Sequence, residues 1–185
     1  MIRRTAQCPT NYTEYLMKQA EKAQLARVRR KFLSRRTTRV AWFRERFNAL
    51  QPGSAVCLGA RYGEEVEALN ALGWTAHGID LNEYPPWVQR GDMNAPLVGE
   101  YDLIYSNAFD HCWDPKSFLQ NIHDALGLGG IAMLHLSDGQ PGEYETIEWS
   151  TGGDVPRLME LVGLTVHRVT TFKQAYGLSL EIVAT

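Results

Sequence analysis

Residues 106–115, SNAFDHCWDP, concentrate side chains that could move a proton. His111 belongs to the residue type that titrates near neutrality, which suits a general base, and Asp110 beside it could orient the ring. Asp114 directly precedes Pro115, and this pair is typical of a helix cap. The sequence therefore predicts that His111 is the base and that Asp110 is its partner.

A second group of residues could bind a ligand at the ends of strands. Residues 55–63, AVCLGARYG, have the pattern of a buried strand, a tight turn and a helix start. Asp80 follows the next apolar segment, and Asp92 follows the one after that. In parallel sheets, ligands bind at the carboxyl ends of strands, and an acid about twenty residues after a glycine turn can accept hydrogen bonds from ribose hydroxyls.

Apolar periodicity predicts the elements that would position these groups. Helical patterns cover residues 12–34, 37–50, 63–73, 115–127 and 154–163, and strand patterns cover 54–59, 74–80, 87–92, 101–107, 129–137, 164–172 and 176–184. Residues 137–153 read as a long polar loop. The alternation predicts an α/β fold with a doubly wound, mostly parallel sheet, in which the last two strands form an antiparallel hairpin.

The order of these signals resembles the class I S-adenosylmethionine-dependent methyltransferases, here as a small and trimmed member. The resemblance runs from Ala55 to Ser137 and includes the glycine turn, the two strand-end acids, the YSN strand end and the LGLGG turn at 126–130. It implies a Rossmann-like sheet of seven strands in the order 3-2-1-4-5-7-6. It also implies S-adenosylmethionine as the cofactor and S-adenosylhomocysteine as its product.

The resemblance assigns roles to individual positions. The turn would cradle the methionine part of the cofactor, the acid after the second strand would bind the ribose, and the GD acid would face adenine. The fourth strand end would lie beside the reactive methyl group. The residues so placed are Gly59, Ala60, Arg61, Gly63, Asp80, Leu81, Asp92, Met93, Ser106 and Asn107.

Three features depart from that family pattern. Cys57 stands where the first strand usually carries an acid, and Arg61 replaces the central glycine of the turn. No helix fits between the third and fourth strands, because MNAPLVGE is short and contains Pro96. The nearest rival interpretation is NAD binding by a similar fold, but the turn lacks the G-x-G-x-x-G spacing that NAD binding normally needs.

The charge of the chain is unevenly distributed. Residues 1–50 contain 13 basic and three acidic side chains, whereas residues 51–185 contain six basic and 18 acidic ones, for a net charge of −2. We divide the chain into a basic helical arm or lid, 1–50, and a cofactor-binding domain, 51–185. The arm could fold onto the acidic domain, attract an anionic acceptor, or contact RNA through residues 18–46.

The sequence favours a methyltransferase that acts on an oxygen or nitrogen of a small acceptor, such as a sugar-like or anionic molecule. Two alternatives stay open, namely an RNA methyltransferase and a non-catalytic cofactor-binding subunit of a larger complex. Asp110, His111 and Asp138 could hold a divalent metal, but their spacing does not require one. We therefore predict no metal site.

Composition limits the other function classes. No apolar run approaches the roughly 20 residues that span a bilayer, and the segment MIRRTAQCPT lacks the apolar stretch of a signal peptide. The three cysteines are widely spaced, which argues against a disulfide framework and a zinc site. We expect a cytoplasmic protein without a membrane span.

Overall fold

The computed structural model describes residues 1–137, 142–174 and 177–185. Helices are α1 Tyr12–Gln24, α2 Ala26–Leu33, α3 Arg36–Phe47, α4 Glu64–Ala71, α5 Pro115–Ala125 and α6 Asp154–Leu161. Strands are β1 Ile2–Arg4, β2 Ser54–Leu58, β3 Thr75–Asp80, β4 Val88–Arg90, β5 Tyr101–Ser106, β6 Leu126–Leu136, β7 Ile147–Trp149, β8 Val166–Gln174 and β9 Gly177–Ala184. A 3-10 turn spans Phe109–His111.

Seven strands form one sheet in the order β4-β3-β2-β5-β6-β9-β8. The first five strands in this order, β4, β3, β2, β5 and β6, are parallel to one another. Strand β9 pairs antiparallel with both β6 and β8. Strands β1 and β7 form a separate two-stranded sheet. If only the seven strands of the large sheet are numbered in chain order, their arrangement is 3-2-1-4-5-7-6, as the resemblance implied. The predicted Rossmann-like sheet with its terminal antiparallel hairpin is confirmed.

Helices cover both faces of the sheet, because alternate strand residues point to opposite sides. On one face, α5 and α6 pack through residues such as Phe118 and Met159. On the other face, α3 and α4 pack through residues such as Phe47 and Leu69. Helix α3 lies within the basic segment 1–50, so that segment contributes directly to the core of the molecule.

Two parts of the chain differ from the sequence-based expectation. The helical segment 12–34 is interrupted at Leu25, whose extended backbone (φ −59°, ψ 124°) separates α1 from α2. The segment 137–153 is not only a loop, because β7 lies within it and pairs antiparallel with β1. Both differences bring the N-terminal segment against the edge of the sheet where the strands end.

Ion pairs fasten the basic segment to the acidic remainder of the chain. Arg36 pairs with Glu67 at 2.5 Å and Arg39 pairs with Glu64 at 3.1 Å, which attaches α3 to α4. Near the start of the chain, Arg3 pairs with Glu148 of β7. Within the described residues, no helix is both long enough and apolar enough to cross a membrane.

The packing of α3 predicts a specific loss of stability. Phe47 is fully buried and its ring lies 5.8 Å from that of Phe43 and 5.3 Å from that of Tyr105. Phe47→Ala should lower the free energy of unfolding by about 3–5 kcal/mol, because it opens a cavity in the core. Leu161→Ala is the control, since Leu161 is 73% exposed and should cost no more than about 0.5 kcal/mol. Equal midpoints for both variants in urea unfolding would contradict this account of α3.

Candidate functional site

The glycine turn after β2 is held by the end of β3. The N–H groups of Gly59 and Ala60 donate to the carbonyl oxygen of Ile79 at 2.9 and 3.2 Å. Gly59 has φ +70°, and a Cβ at this position would lie 2.4 Å from that of Ala108. Only glycine fits here, because a side chain would be strained by the backbone and would collide with its neighbour.

Arg61 has a left-handed backbone with φ 47°, which is uncommon for a residue other than glycine. Its N–H donates to Oδ2 of Asp80 at 3.0 Å, and its guanidinium carbon lies 4.5 Å from the centre of the Phe32 ring. Such left-handed residues cost free energy and persist where the surrounding structure fixes them. The arginine is thus held in the turn by both its backbone and its side chain.

The two strand-end acids lie beneath helix α1. Oδ1 of Asp80 accepts the N–H of Asn82 at 3.1 Å, and Oδ1 of Asp92 accepts the N–H of Asn94 at 2.9 Å. The hydroxyl of Tyr12 donates a short hydrogen bond to Oδ2 of Asp92. Burial and this carboxylate both raise the pKa of Tyr12, so the phenol stays protonated. Helix α1 therefore covers the site at which Asp92 could bind a ligand.

Two adjoining cavities open at this edge of the sheet. The narrow cavity, about 50 Å³, is lined by Tyr15, Gln19, Lys22, Gly59, Arg61, Asp80, Leu81, Asp92, Met93, Ala108 and His111. The wide cavity, about 410 Å³, is lined by parts of α2, α3 and α4, by Gly59, Ala60, Arg61 and Asn107, and by His111 and Glu145. They share five residues: Lys22, Gly59, Arg61, Ala108 and His111. A ligand in one cavity would therefore adjoin a ligand in the other.

His111 stands at this shared wall with both ring nitrogens engaged. Its Nδ1–H donates to the carbonyl oxygen of Tyr144 at 3.0 Å, which fixes the tautomer. Its Nε2 accepts from the ammonium group of Lys22 at 2.8 Å. Asp110 does not orient the ring as the sequence suggested, because its Oδ1 faces the same Nε2 at 3.8 Å. The backbone carbonyl takes that role.

The environment of His111 sets its protonation. Burial, followed by the charges of Lys22 and Arg61, lowers the pKa of His111, while Asp110 and Glu145 oppose this shift. Burial also lowers the pKa of Lys22 to about 8. At neutral pH the ring is therefore neutral and accepts a hydrogen bond from a charged lysine.

The predicted ligand-binding residues fall into two groups. Eight of them line the cavities: Gly59, Ala60, Arg61, Asp80, Leu81, Asp92, Met93 and Asn107. Gly63 and Ser106 do not line either cavity. Gly63 directly precedes α4, and the hydroxyl of Ser106 donates to the carbonyl oxygen of Leu58. Asp114 caps α5 by accepting the N–H of Ser117 at 2.7 Å.

Sequence reasoning missed the residues that α1 and the later loop bring to the site. Tyr12, Tyr15, Gln19 and Lys22 are spaced three, four and three residues apart, which places them on one helical face. That spacing was a usable signal, because polar and aromatic side chains that recur every three or four residues form one face of a helix, and such a face can contact the rest of the protein or a ligand. Glu145 carried no such signal, because the contacts that hold its loop beside His111 join segments that are distant in sequence: β1 pairs with β7, and the N–H of Thr146 donates to the carbonyl oxygen of Asp110 at 2.8 Å.

Asp110, His111 and Glu145 offer three ligand atoms within 4.8 Å of one another, an arrangement that could hold a metal ion. Oε1 of Glu145 lies 3.8 Å from Nε2 of His111, as Oδ1 of Asp110 does. The Lys22 ammonium already bonds that same nitrogen, so a side-chain cation occupies the position that a metal ion would take there. Asp138, the third ligand considered from the sequence, lies outside the described residues.

The charges around His111 predict opposite responses in two variants. Lys22→Met should raise the pKa of His111, because a nearby positive charge is removed. Glu145→Gln should lower this pKa further, because a nearby negative charge is removed. Both values can be read from an NMR titration of the His111 ring against that of the wild type. Shifts of the same sign in the two variants would contradict the assigned charges.

Several solved structures that are similar to this chain are methyltransferases. A 1,6-didemethyltoxoflavin-N1-methyltransferase from Burkholderia thailandensis, with its substrate and S-adenosylhomocysteine bound, has a TM-score of 0.75 and 15% identity over 99% of this chain and 93% of that chain. A TehB-like SAM-dependent methyltransferase from Corynebacterium glutamicum has a TM-score of 0.62 and 23% identity over 77% and 86%.

A third similar structure is the magnesium protoporphyrin IX methyltransferase of Synechocystis PCC 6803 with bound SAM, at a TM-score of 0.60 and 13% identity over 97% of this chain and 87% of that chain. No protein-family profile matches the sequence, and no curated protein sequence matches it. The likeness therefore rests on three-dimensional structure, and it confirms the predicted architecture. The chain has the fold of the class I S-adenosylmethionine-dependent methyltransferases.

Proposed function

We propose that this protein is an S-adenosylmethionine-dependent methyltransferase that acts on an oxygen or nitrogen of a small polar molecule. The observation that carries the proposal is the shared wall of the two cavities. On one side lie the turn and the acids Asp80 and Asp92, and on the other side His111 faces the wide cavity. A cofactor and an acceptor could thus meet beside a neutral imidazole.

The residues of the narrow cavity fit the cofactor. Asp80 uses one lone pair on each oxygen for a backbone N–H, which leaves further lone pairs for the two ribose hydroxyls. Gly59 lines both cavities, so a ligand could contact the backbone of the turn. Structures with this fold contain S-adenosylmethionine or S-adenosylhomocysteine, which supports the same cofactor here.

The narrow cavity is too small for a nucleoside while α1 is in its present position. A volume of about 50 Å³ accommodates only a few water molecules. Tyr12 bonds Asp92, the acid that we assign to adenine. Cofactor binding therefore requires that Tyr12 leave Asp92 and that α1 shift outward, which makes α1 a lid.

His111 is the group that we assign to proton removal. A cofactor held by the turn and Asp80 would supply a methyl group on a positively charged sulfur. Nε2 of His111 would accept the proton that the acceptor oxygen or nitrogen loses when it is methylated. Asp110 and Glu145, each 3.8 Å from that nitrogen, stabilise the resulting imidazolium. The acceptor takes the place that the Lys22 ammonium occupies.

The lining of the wide cavity supports a polar acceptor. Apart from Arg61 and Glu65, which lie near the turn, its cationic side chains are Lys22, Lys31 and Arg39, and its acidic ones are Glu64, Asp110 and Glu145. Such a lining of mixed charge suits a sugar-like or otherwise polar metabolite. RNA is less well supported, because Arg27, Arg36, Arg39 and Arg46, which lie within residues 18–46, already pair with glutamates of the chain.

The cofactor assignment predicts a binding result. Asp80→Asn should weaken S-adenosylhomocysteine binding by roughly 10- to 100-fold, because a charge-assisted hydrogen bond to the ribose is lost. Isothermal titration calorimetry measures the affinity, with Glu160→Gln as an exposed control that should match the wild type. NAD should not bind. Unchanged affinity in Asp80→Asn would remove the ribose assignment.

The base assignment predicts a loss of turnover without a loss of cofactor. His111→Asn keeps a donor for the Tyr144 carbonyl but removes the nitrogen that accepts the proton. We expect kcat to fall by about 10²- to 10⁴-fold, with S-adenosylhomocysteine affinity within about twofold of the wild type. The assay measures release of S-adenosylhomocysteine in a screen of sugars, nucleotides and amines. Full turnover by the variant would exclude His111 as the base.

A further inference from the structure

Glu65 is a buried carboxyl group that the mechanism above does not use. It lies in the first turn of α4, is 2% exposed, and lines the wide cavity together with Gly59 and Arg61. Among the described residues, no other side chain forms a hydrogen bond or ion pair with its carboxyl group; only its own backbone N–H contributes. An acid that is taken out of water without such a partner is costly.

The neighbouring glutamate shows the contrast. Glu64 is also buried, at 1% exposed, but its Oε1 accepts from Nε of Arg39 at 3.1 Å. Within the part of the chain that the structure describes, Glu65 has no such ion-pair partner, although it is the next residue on the same helix. Burial, and then the charge of Glu64, raise the pKa of Glu65 to about 8. In the protein without ligand, the Glu65 side chain is therefore mainly neutral at pH 7.

The same cavity wall presents a fixed positive charge. Arg61 stands in the turn that precedes α4, and its guanidinium is held against the ring of Phe32. Its charge acts on Glu65 and lowers the pKa of that carboxyl group, in opposition to burial. Arg61 and Glu65 together give this part of the wall a guanidinium and a carboxyl group without a side-chain partner among the described residues, which is complementary to a zwitterion.

We infer that Glu65 is an ammonium-binding residue, which pairs with the α-amino group of an amino-acid moiety whose carboxylate lies at Arg61. The inference rests on the proposed function, because the amino-acid moiety is that of S-adenosylmethionine or S-adenosylhomocysteine, which would extend past Gly59 and Arg61 from the narrow cavity into the adjoining end of the wide one. Glu65 is a binding residue and takes no part in proton transfer from the acceptor. When the ammonium group binds, Glu65 ionises and its proton leaves to solvent.

The proton balance depends on the groups around Glu65. Those that act on its pKa or respond to its charge come from α3, α4, β2, β5 and the turn: Arg39, Glu64, Cys57, Tyr105 and Arg61. The cysteine and tyrosine have pKa values well above their usual range because they are buried, so both stay neutral at pH 7. Glu65 is therefore the group in this set that changes charge near neutrality.

The experiment compares two ligands that differ in the amino-acid moiety. S-adenosylhomocysteine carries it, whereas 5′-methylthioadenosine lacks it. Glu65→Gln should bind S-adenosylhomocysteine about 10- to 100-fold more weakly than the wild type and bind 5′-methylthioadenosine within about twofold. The neutral amide has the shape of the protonated carboxyl group, so the fold should be retained. Glu160→Gln, which removes an exposed charge from α6, should change neither affinity.

A second measurement uses the wild-type protein and so does not depend on a variant that folds. Calorimetry at pH 7 in buffers with different ionisation enthalpies should show release of a proton when S-adenosylhomocysteine binds. Binding of S-adenosylhomocysteine to Glu65→Gln should release nearly one proton fewer than binding to the wild type. For 5′-methylthioadenosine, the wild type and the variant should release equal numbers of protons.

The outcomes separate the two proposals. A wild-type protein that binds neither ligand would overturn the proposed function and this inference with it. A wild-type protein that binds S-adenosylhomocysteine, with equal affinity and equal proton release in Glu65→Gln, would overturn the role of Glu65 alone. Equal losses of both ligands in Glu65→Gln would also overturn it, since the defect would then not be specific to the amino-acid moiety.

Discussion

The candidate site depends on the attachment of one turn to the end of the neighbouring strand. The carbonyl of Ile79 accepts two N–H groups from the turn, and the Asp80 carboxylate accepts a third from Arg61. These bonds hold the glycine turn against the carboxyl end of β3. Because β2 and β3 are parallel neighbours, their ends meet at one edge, and the side chains that follow them face a common space. The remaining residues of the site are arranged around that fixed edge.

Charge accounts for the attachment of the N-terminal segment to this edge. The basic residues of α3 pair with the acidic first turns of α4, and Lys22 of α1 meets the cluster of Asp110, His111 and Glu145. Aromatic stacking adds to the charge, since Tyr12 and Tyr15 pack against each other and against Trp113. The unequal distribution of charge along the sequence therefore has an intramolecular use in this fold.

Much of the architecture could be predicted from local patterns. The strand segments end in glycine, asparagine or acid, so the strands and their functional ends could be predicted, whereas the order of the strands followed from the family resemblance. The break at Leu25 and the pairing of β1 with β7 could not, because both depend on contacts between segments that are distant in sequence. The same limit explains Glu145 and Lys22, which reach His111 only through tertiary packing. Nothing in the helical pattern of residues 63–73 distinguishes Glu65, and its burial without a side-chain partner among the described residues is evident only in the structure.

Helix α1 is a rigid connection between the two halves of the site. It carries Tyr12, which donates a hydrogen bond to the Asp92 carboxylate, and Lys22, which donates one to His111. These two residues lie about 15 Å apart along the helix axis. Under the proposed function, Tyr12 would have to leave Asp92 for a nucleoside to bind, and a shift of this 13-residue helix as one body would also withdraw Lys22 from His111. The imidazole would then face the wide cavity only once the neighbouring compartment is filled. The proposed lid thereby implies a fixed order of arrival for the two reactants.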